Sequence, residues 1–355
     1  MFDFKALTRR AEFAAFVGTL AVYLFFLYFG WPTFPTVLVT AGWVNVAAEL
    51  GIVALPIALV MISGHLDLSV GSNIAAAAIT YALLCGHYDL PDVIGLPAGL
   101  AVGTFFGFLN GLIVTRTKVS SFIVTLAMSF FIRGLIFGVT KLIVDNVQVA
   151  VDVDPWVEKT FGGRIYLAYE NAIYLFLIMA LVISWILYKT TVGNWIFAIG
   201  GDETSARAAG VPVERTTIFL FMGSGFGAAL LGVTTVALYG SAQVSAGQDK
   251  VFYSIIAVVV GGVLLTGGYG SPLGVIFGTM TFAIVTSGVN STGWGADWSL
   301  LIIGLLLLVA VLANNTFRNL ALSGGKVTTI ATTPDPPRLR EPVLEPSIEK
   351  ENDHV

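Results

Sequence analysis

Stretches of about twenty apolar residues recur along almost the whole chain, and this constrains its fold more than any other feature. A helix needs ~20 apolar residues to cross ~30 Å of hydrocarbon. Candidate spans of that length fall at 13–30, 45–63, 69–86, 93–115, 121–140, 172–188, 217–240, 251–268, 273–290 and 298–313. The third is short and rich in Gly, Ser and Asn, so a re-entrant or broken helix stays open there. The stretch 32–44, with Pro32, Pro35 and Trp43, reads as an interfacial segment outside the membrane. Strand-type alternation is absent, which excludes a β-barrel. The expected fold is an all-α integral membrane protein of about ten transmembrane helices. Composition agrees, because only 11% of the 355 residues are charged, about half the usual fraction in soluble domains. A single cysteine, Cys85, rules out a disulfide framework or a Cys-based metal site within the chain. The net charge of −4 offers no basic surface for nucleic acid.

Basic residues set the orientation. With ten spans and the N-terminus inside, 13 Lys/Arg fall on the cytoplasmic side: Lys5, Arg9, Arg10, Arg116, Lys118, Lys189, Arg207, Arg215, Arg318, Lys326, Arg338, Arg340 and Lys350. Outside stand 4: Lys141, Lys159, Arg164 and Lys250. Arg133 lies within a span. Both termini are therefore expected to be cytoplasmic. The basic start of the chain resembles a signal peptide, but no small-x-small cleavage site follows, so the first span is expected to be a retained anchor. Residues 1–12 form a cytoplasmic N-terminus, 13–318 the transmembrane domain, and 319–355 a tail too poor in apolar periodicity to fold.

The internal connection 189–216 is long for a plain chain reversal. Gly200-Gly201 breaks it, Asp202 is a good N-cap, and acidic Glu203 opens the next turn. Residues 203–209, including Ala206 and Arg207, are helix formers, Gly210 is placed to end the helix, and Pro212 prevents its continuation. Such a short, small-faced helix suits docking into a groove of another protein.

A second segment, Ser63-Gly64-His65-Leu66-Asp67-Leu68-Ser69-Val70-Gly71-Ser72-Asn73, interrupts an apolar region with polar groups and glycines. A carboxylate buried in hydrocarbon costs at least ~2.5–3.5 kcal/mol. Asp67 is expected to cap the third helix with help from Ser69, with direct solute contact as the alternative. His65 has no second ligand nearby in sequence and reads as interfacial. Asn45, Glu49, Asn110, Gln243 and Asn290 are polar residues in or beside spans, where such groups face the bundle interior and can line a solute path. Each is a candidate for that path, with helix-to-helix hydrogen bonding as the commoner role. No P-loop, H-E-x-x-H or G-x-S-x-G is present, so no catalytic residue and no metal site is assigned.

Together the two motifs resemble a known family. "SGHLDLSVGS" at 63–72 resembles the GG-x-D-L-S-V-G-S signature of ribose-type permease subunits of ABC importers, within the branched-chain amino acid/sugar permease superfamily. "VGNWIFAIGGDETSARAAGV" at 192–211 resembles their cytoplasmic coupling segment. The resemblance covers about residues 10–318. His65 stands where the family has a second glycine, Asn194 replaces an arginine, and Asp202 replaces an asparagine while keeping N-cap chemistry. The resemblance implies a permease without bound cofactor in the bacterial inner membrane, pairing with a second copy or a sister permease. A separate ATPase would hold ATP and Mg, and a periplasmic binding protein would deliver a sugar or polyol. In that arrangement Gly200, Gly201, Asp202, Glu203, Ala206, Arg207 and Gly210 meet the ATPase. The loops 141–171 and 241–250 would meet the binding protein.

Three other classes compete. A branched-chain amino acid permease shares the mechanism, and the "DLSVG" segment favours the sugar side. An ion-coupled secondary transporter needs paired intramembrane carboxylates in corresponding repeats, and no such pair is evident. A lipid-modifying transferase needs a polar catalytic cluster at one membrane face, and none is evident.

Overall fold

The computed structural model describes residues 11–306 and 308, apart from 118 and 296. Lys5, Arg9, Arg10, Lys118, the end of the tenth expected span and the tail 319–355 lie outside the described residues. The protein is an all-α membrane protein, and among the described residues eight helices are long and apolar enough to cross a bilayer.

In chain order, α1 (Ala11–Phe29) turns through 30–36 into α2 (Val37–Ile62). After a non-helical break comes α3 (Val70–Ala82), prolonged by a π-turn at Leu83–His87. Helices α4 (Asp92–Thr117), α5 (Ser121–Val144) and α6 (Ala172–Lys189) follow. Two shorter helices, α7 (Thr191–Gly201) and α8 (Glu203–Ala208), lead to α9 (Val213–Tyr239). The chain continues through α10 (Lys250–Val260) and α11 (Pro272–Ser291), and 298–306 are again helical.

Two expectations need correction. The interfacial segment 32–44 is mostly helix, because α2 starts at Val37 directly behind Pro35-Thr36 and runs eight residues before the expected start at 45. Only the turn 30–36 stays outside it. The apolar run 251–268 is not one span. Its helix stops at Val260 after 11 residues, ~16 Å at 1.5 Å per residue, about half a membrane. Hydropathy cannot see the cause. Gly262, Gly267 and Gly268 take left-handed backbone with φ of +89°, +81° and +77°, where residues with a Cβ are strained. The third span is a continuous helix, and the break lies before it.

Helix α2 is almost wholly enclosed, with α3, α9 and α11 also largely buried, whereas α1, α5 and α6 show most of their surface outward. Close approach of α4 to α3 and α9 depends on glycines at every fourth position, Gly95, Gly99, Gly103, Gly107 and Gly111. A Cβ at 103 would stand 2.6 Å from the Ala229 Cβ and 2.8 Å from the Gly225 oxygen. One at 107 would overlap the Phe221 carbonyl. Small residues at i and i+4 let backbones meet where lipid provides no hydrophobic drive between helices.

At one end of the bundle the long loop after α5 folds back as two small sheets. Strand β1 (Gln148–Ala150) pairs antiparallel with β4 (Ser241–Gln243), and β2 (Arg164–Tyr166) pairs with β3 (Tyr169–Glu170). Asp92 Oδ2 accepts the Asp154 N–H at 2.7 Å and ties this layer to α4.

Gly107→Leu should force α4 and α9 apart, with the ~1–3 kcal/mol loss of an overpacked core. Thermal unfolding in detergent should show a lower midpoint. An unchanged midpoint would mean that the helix contact is not a determinant of stability.

Candidate functional site

The break at 63–69 is sunk into the bundle, and three helices supply hydrogen bonds to it, although the His65 Nε2 is buried without a partner among the described residues. Gly64 takes φ +85°, so the chain reverses out of α2. The first turns of α5 reach over: Ser121 Oγ accepts the Leu66 N–H at 3.0 Å and Thr125 Oγ1 the Leu68 N–H at 3.1 Å. Asp67 is 1% exposed. Its Oδ1 accepts from the Ser69 N–H at 3.0 Å and the Ser69 hydroxyl at 2.7 Å, while its Oδ2 accepts from the Ser224 hydroxyl of α9 at 2.7 Å. Asn110 Nδ2 of α4 donates to Ser69 Oγ at 2.7 Å.

Asp67 thus differs from the expected cap. It does satisfy an N–H at the helix entrance, but that N–H belongs to Ser69 itself, which has no side-chain bond into α3. The carboxylate spends its other oxygen on α9. Asp67 is a tie between the break and two long helices, a role that local spacing cannot reveal because Ser224 is 157 residues away. Gly71 has another duty: a Cβ there would stand 2.5 Å from the Gly247 oxygen, so its absence admits the 241–249 segment against α3. His65 packs beside Phe221, with ring centroids 6.0 Å apart.

The 189–216 connection holds two helices rather than one. Helix α7 ends at Gly201, so the break expected at Gly200-Gly201 is present and falls just after the pair. Asp202 then caps α8 as expected, its Oδ1 accepting the Ser205 N–H at 2.6 Å. That bond holds the Asp202 carboxyl below the usual carboxylate range. A depressed acid stabilises above its unfolded-state pKa, so the cap persists at neutral pH and is lost on strong acidification. Gly210, at φ +85°, ends the helix, and Arg207 bridges Glu203 at 3.2 Å and Glu214 at 2.7 Å. Ala206 is turned inward against Ile199 and Val213, so it is not part of an outward face. Every other residue from Gly201 to Gly210 is exposed, among them the candidates Asp202, Glu203 and Arg207.

Gly200 joins this pair of helices to the bundle. A Cβ on it would overlap the Ile62 carbonyl at the end of α2. The same Ile62 oxygen accepts the Gly268 N–H at 2.8 Å. A Cβ on Gly267 would stand 2.8 Å from the Gly64 Cα and 3.0 Å from the Gly200 oxygen. Four glycines from three chain segments therefore meet backbone to backbone beside Ile62.

The five path candidates do not form one lining. Asn45 anchors the β2–β3 hairpin, donating to the Ala168 carbonyl at 2.9 Å and accepting the Glu170 N–H at 3.0 Å. Asn110 belongs to the Asp67 cluster. Asn290 is exposed and donates back to the Thr286 carbonyl at 3.3 Å. Glu49 pairs with Lys250 at 2.7 Å. Gln243 lines a pocket of about 250 Å³ with Ala78, Thr235, Tyr239, Ser241 and Ala246. Lys250 was not a candidate, because the sequence gives no sign that the start of α10 reaches α2.

Over residues 39–311 the chain matches the family described as branched-chain amino acid transport system / permease component. The chain belongs to this family of integral membrane permeases, which are transport subunits and not enzymes. It is 31% identical to the fructose import permease protein FrcC of Rhizobium meliloti, over 77% of each chain. It is likewise 31% identical to the ribose import permease protein RbsC of Haemophilus influenzae, over 74% of this chain and 81% of that one. Against the autoinducer 2 import system permease protein LsrD of Photorhabdus temperata the identity is 29%, over 75% and 80%. No solved structure matches.

Asp67→Ala leaves three buried donors without their acceptor, at ~1–3 kcal/mol for an unsatisfied group. Its melting midpoint in detergent should fall well below that of the parent protein, while Asp67→Asn, which keeps an acceptor oxygen, should lose less. Equal melting of all three proteins would exclude the tie.

Proposed function

We propose that this chain is the membrane-spanning permease of an ABC importer that carries a sugar or polyol. It pairs with a second permease, a cytoplasmic ATPase holds ATP and Mg, and a periplasmic binding protein delivers the solute. The contact of Gly200 with Ile62 and Gly268 carries this reading. It makes α7–α8 a rigid lever whose inner end touches both helix breaks at once. Nucleotide-driven closure of an ATPase seated on Thr204, Ala208 and Ala209 would move α2, the 63–69 break and the 261–270 loop together. Bacterial relatives named for fructose and ribose support the solute class over a branched-chain amino acid.

Arg133 supports the second permease. It lies twelve residues into α5, ~18 Å from the helix start, and it is exposed without an ion pair among the described residues. An arginine that deep in lipid is expensive, so a face carrying it is one that another protein covers. The surplus of Lys/Arg on the α7–α8 side supports a cytoplasmic position for both termini and this lever in a bacterial inner membrane.

Mild solubilisation should bring down an ATPase with nucleotide motifs, identified by mass spectrometry. Ala208→Trp, on the exposed face, should remove that ATPase from the complex. Gly200→Ala should keep it bound while ATP-driven uptake drops at least tenfold. A chain that purifies alone and drives ion-dependent uptake in vesicles would refute the importer reading.

A further inference from the structure

After β4 the chain does not stay at the hairpin end. Residues 244–249 run down beside α3, so that the pocket touches Ala78 while Gly247 touches Ile74 and the Gly71 carbonyl. Seven residues of α3 separate those contacts, ~10 Å of descent. At the bottom Lys250 starts α10 and its Nζ meets Glu49 Oε2 at 2.7 Å. Glu49 lies twelve residues into the 26-residue α2, ~18 Å along a helix of ~39 Å. The ion pair is therefore near the middle of α2, one turn below Asn45 and the hairpin it holds.

Two charges taken from water are repaid by their mutual attraction only in part, and an apolar pair would hold the helices as well. Intramembrane charges that persist mark water-filled paths by default. This pair is not sealed, since the Lys250 and Glu49 side chains remain 28% and 20% exposed. The polar groups above it are uncommitted: Tyr239, Ser241 and Gln243 line the pocket and make no side-chain hydrogen bond among the described residues. The pocket volume, about 250 Å³, is just under the ~300–1,000 Å³ of small-molecule sites, which suits an entry mouth for a small solute.

We propose that the Glu49–Lys250 pair is a solute station at mid-depth on the translocation path, with the Tyr239–Ser241–Gln243 pocket as its outer mouth. The ligand class is a neutral polyhydroxylated molecule. A hydroxyl can donate to the carboxylate while its neighbour accepts from the ammonium, which replaces the water each ion would otherwise need. The two charges cancel, so a solute of either net charge meets one repelling group. The station rests on the importer reading above, but its water path can be tested without it.

Cys85 is the sole cysteine, and Cys85→Ala gives a clean background. In membranes of cells expressing the full importer, Lys250→Cys should react with a membrane-impermeant methanethiosulfonate ammonium reagent at least tenfold faster than Phe130→Cys on the outward face of α5. Should Lys250→Cys fail to reach the membrane, Asp249→Cys is read the same way. A rate no faster than that of Phe130→Cys overturns the path. The double variant Glu49→Met with Lys250→Met keeps packing and removes the hydrogen bonding. With radiolabelled ribose and fructose as probes, it should retain ATP hydrolysis while transport per ATP falls at least tenfold. Parental transport per ATP would make the pair a mere clamp and overturn the station. If the parent importer carries neither sugar, the solute reading fails, and the labelling rates still decide the path.

Discussion

A bilayer offers no hydrogen-bond partners, so a membrane chain can leave the helix only where its own side chains or backbone meet the freed groups. Besides the 244–249 descent, this protein leaves it among the described residues at 63–69 and at 261–270. At the first, serine and threonine from α5, a carboxylate at 67, and Ser224 and Asn110 from α9 and α4 replace the lost helical bonds. At the second, the glycine-rich loop hydrogen-bonds the last carbonyl of α2. Each break is thus held by the elements around it, and the two breaks share a boundary at Ile62. The central helices cannot be rearranged singly, because moving α2 disturbs both.

That shared boundary explains the glycines of the α7–α8 lever and its neighbours better than flexibility does. Gly201 and Gly210 have open space where a Cβ would go, and only Gly210 has the positive φ that selects glycine. Gly200 has ordinary helical backbone yet no room at all. Its requirement is steric. A segment that touches the bundle through backbone atoms has no soft side chain at the contact, which suits the lever role proposed for it. Side chains of ordinary size at this junction would separate the lever from α2 and leave compliant contacts between them.

Much of this was legible in the sequence, and the failures have physical causes. Eight spans were found because length and hydropathy decide them, and Asp202 and Gly210 because caps are local chemistry. The half-length α10 was misread because valine and leucine around Gly261–Gly268 raise hydropathy while the glycines end the helix. The role of Asp67 was half visible: its bond to Ser69 is local, but Ser224 is brought in by tertiary packing. The glycine ladder of α4 was open to inspection, at a strict four-residue spacing, and marks the face turned to α9. Pairings such as Glu49 with Lys250 leave no local trace, because neither residue has a patterned neighbour that points to the other.

The interior chemistry also limits how transport can be driven. Ion coupling needs a carboxylate that takes up and releases a cation or proton as the path alternates. Asp67 is fully hydrogen-bonded and sealed, and Glu49 is neutralised by Lys250 at contact distance. Each carboxylate already has its partners, Ser69 and Ser224 for Asp67 and Lys250 for Glu49. On the importer reading proposed above, work enters mechanically, and Gly200 joins the α7–α8 pair to the broken helices. A neutral, polar path and a rigid external lever are complementary: the first lets an uncharged solute through without a coupling ion, and the second supplies the energy that such an ion would otherwise bring.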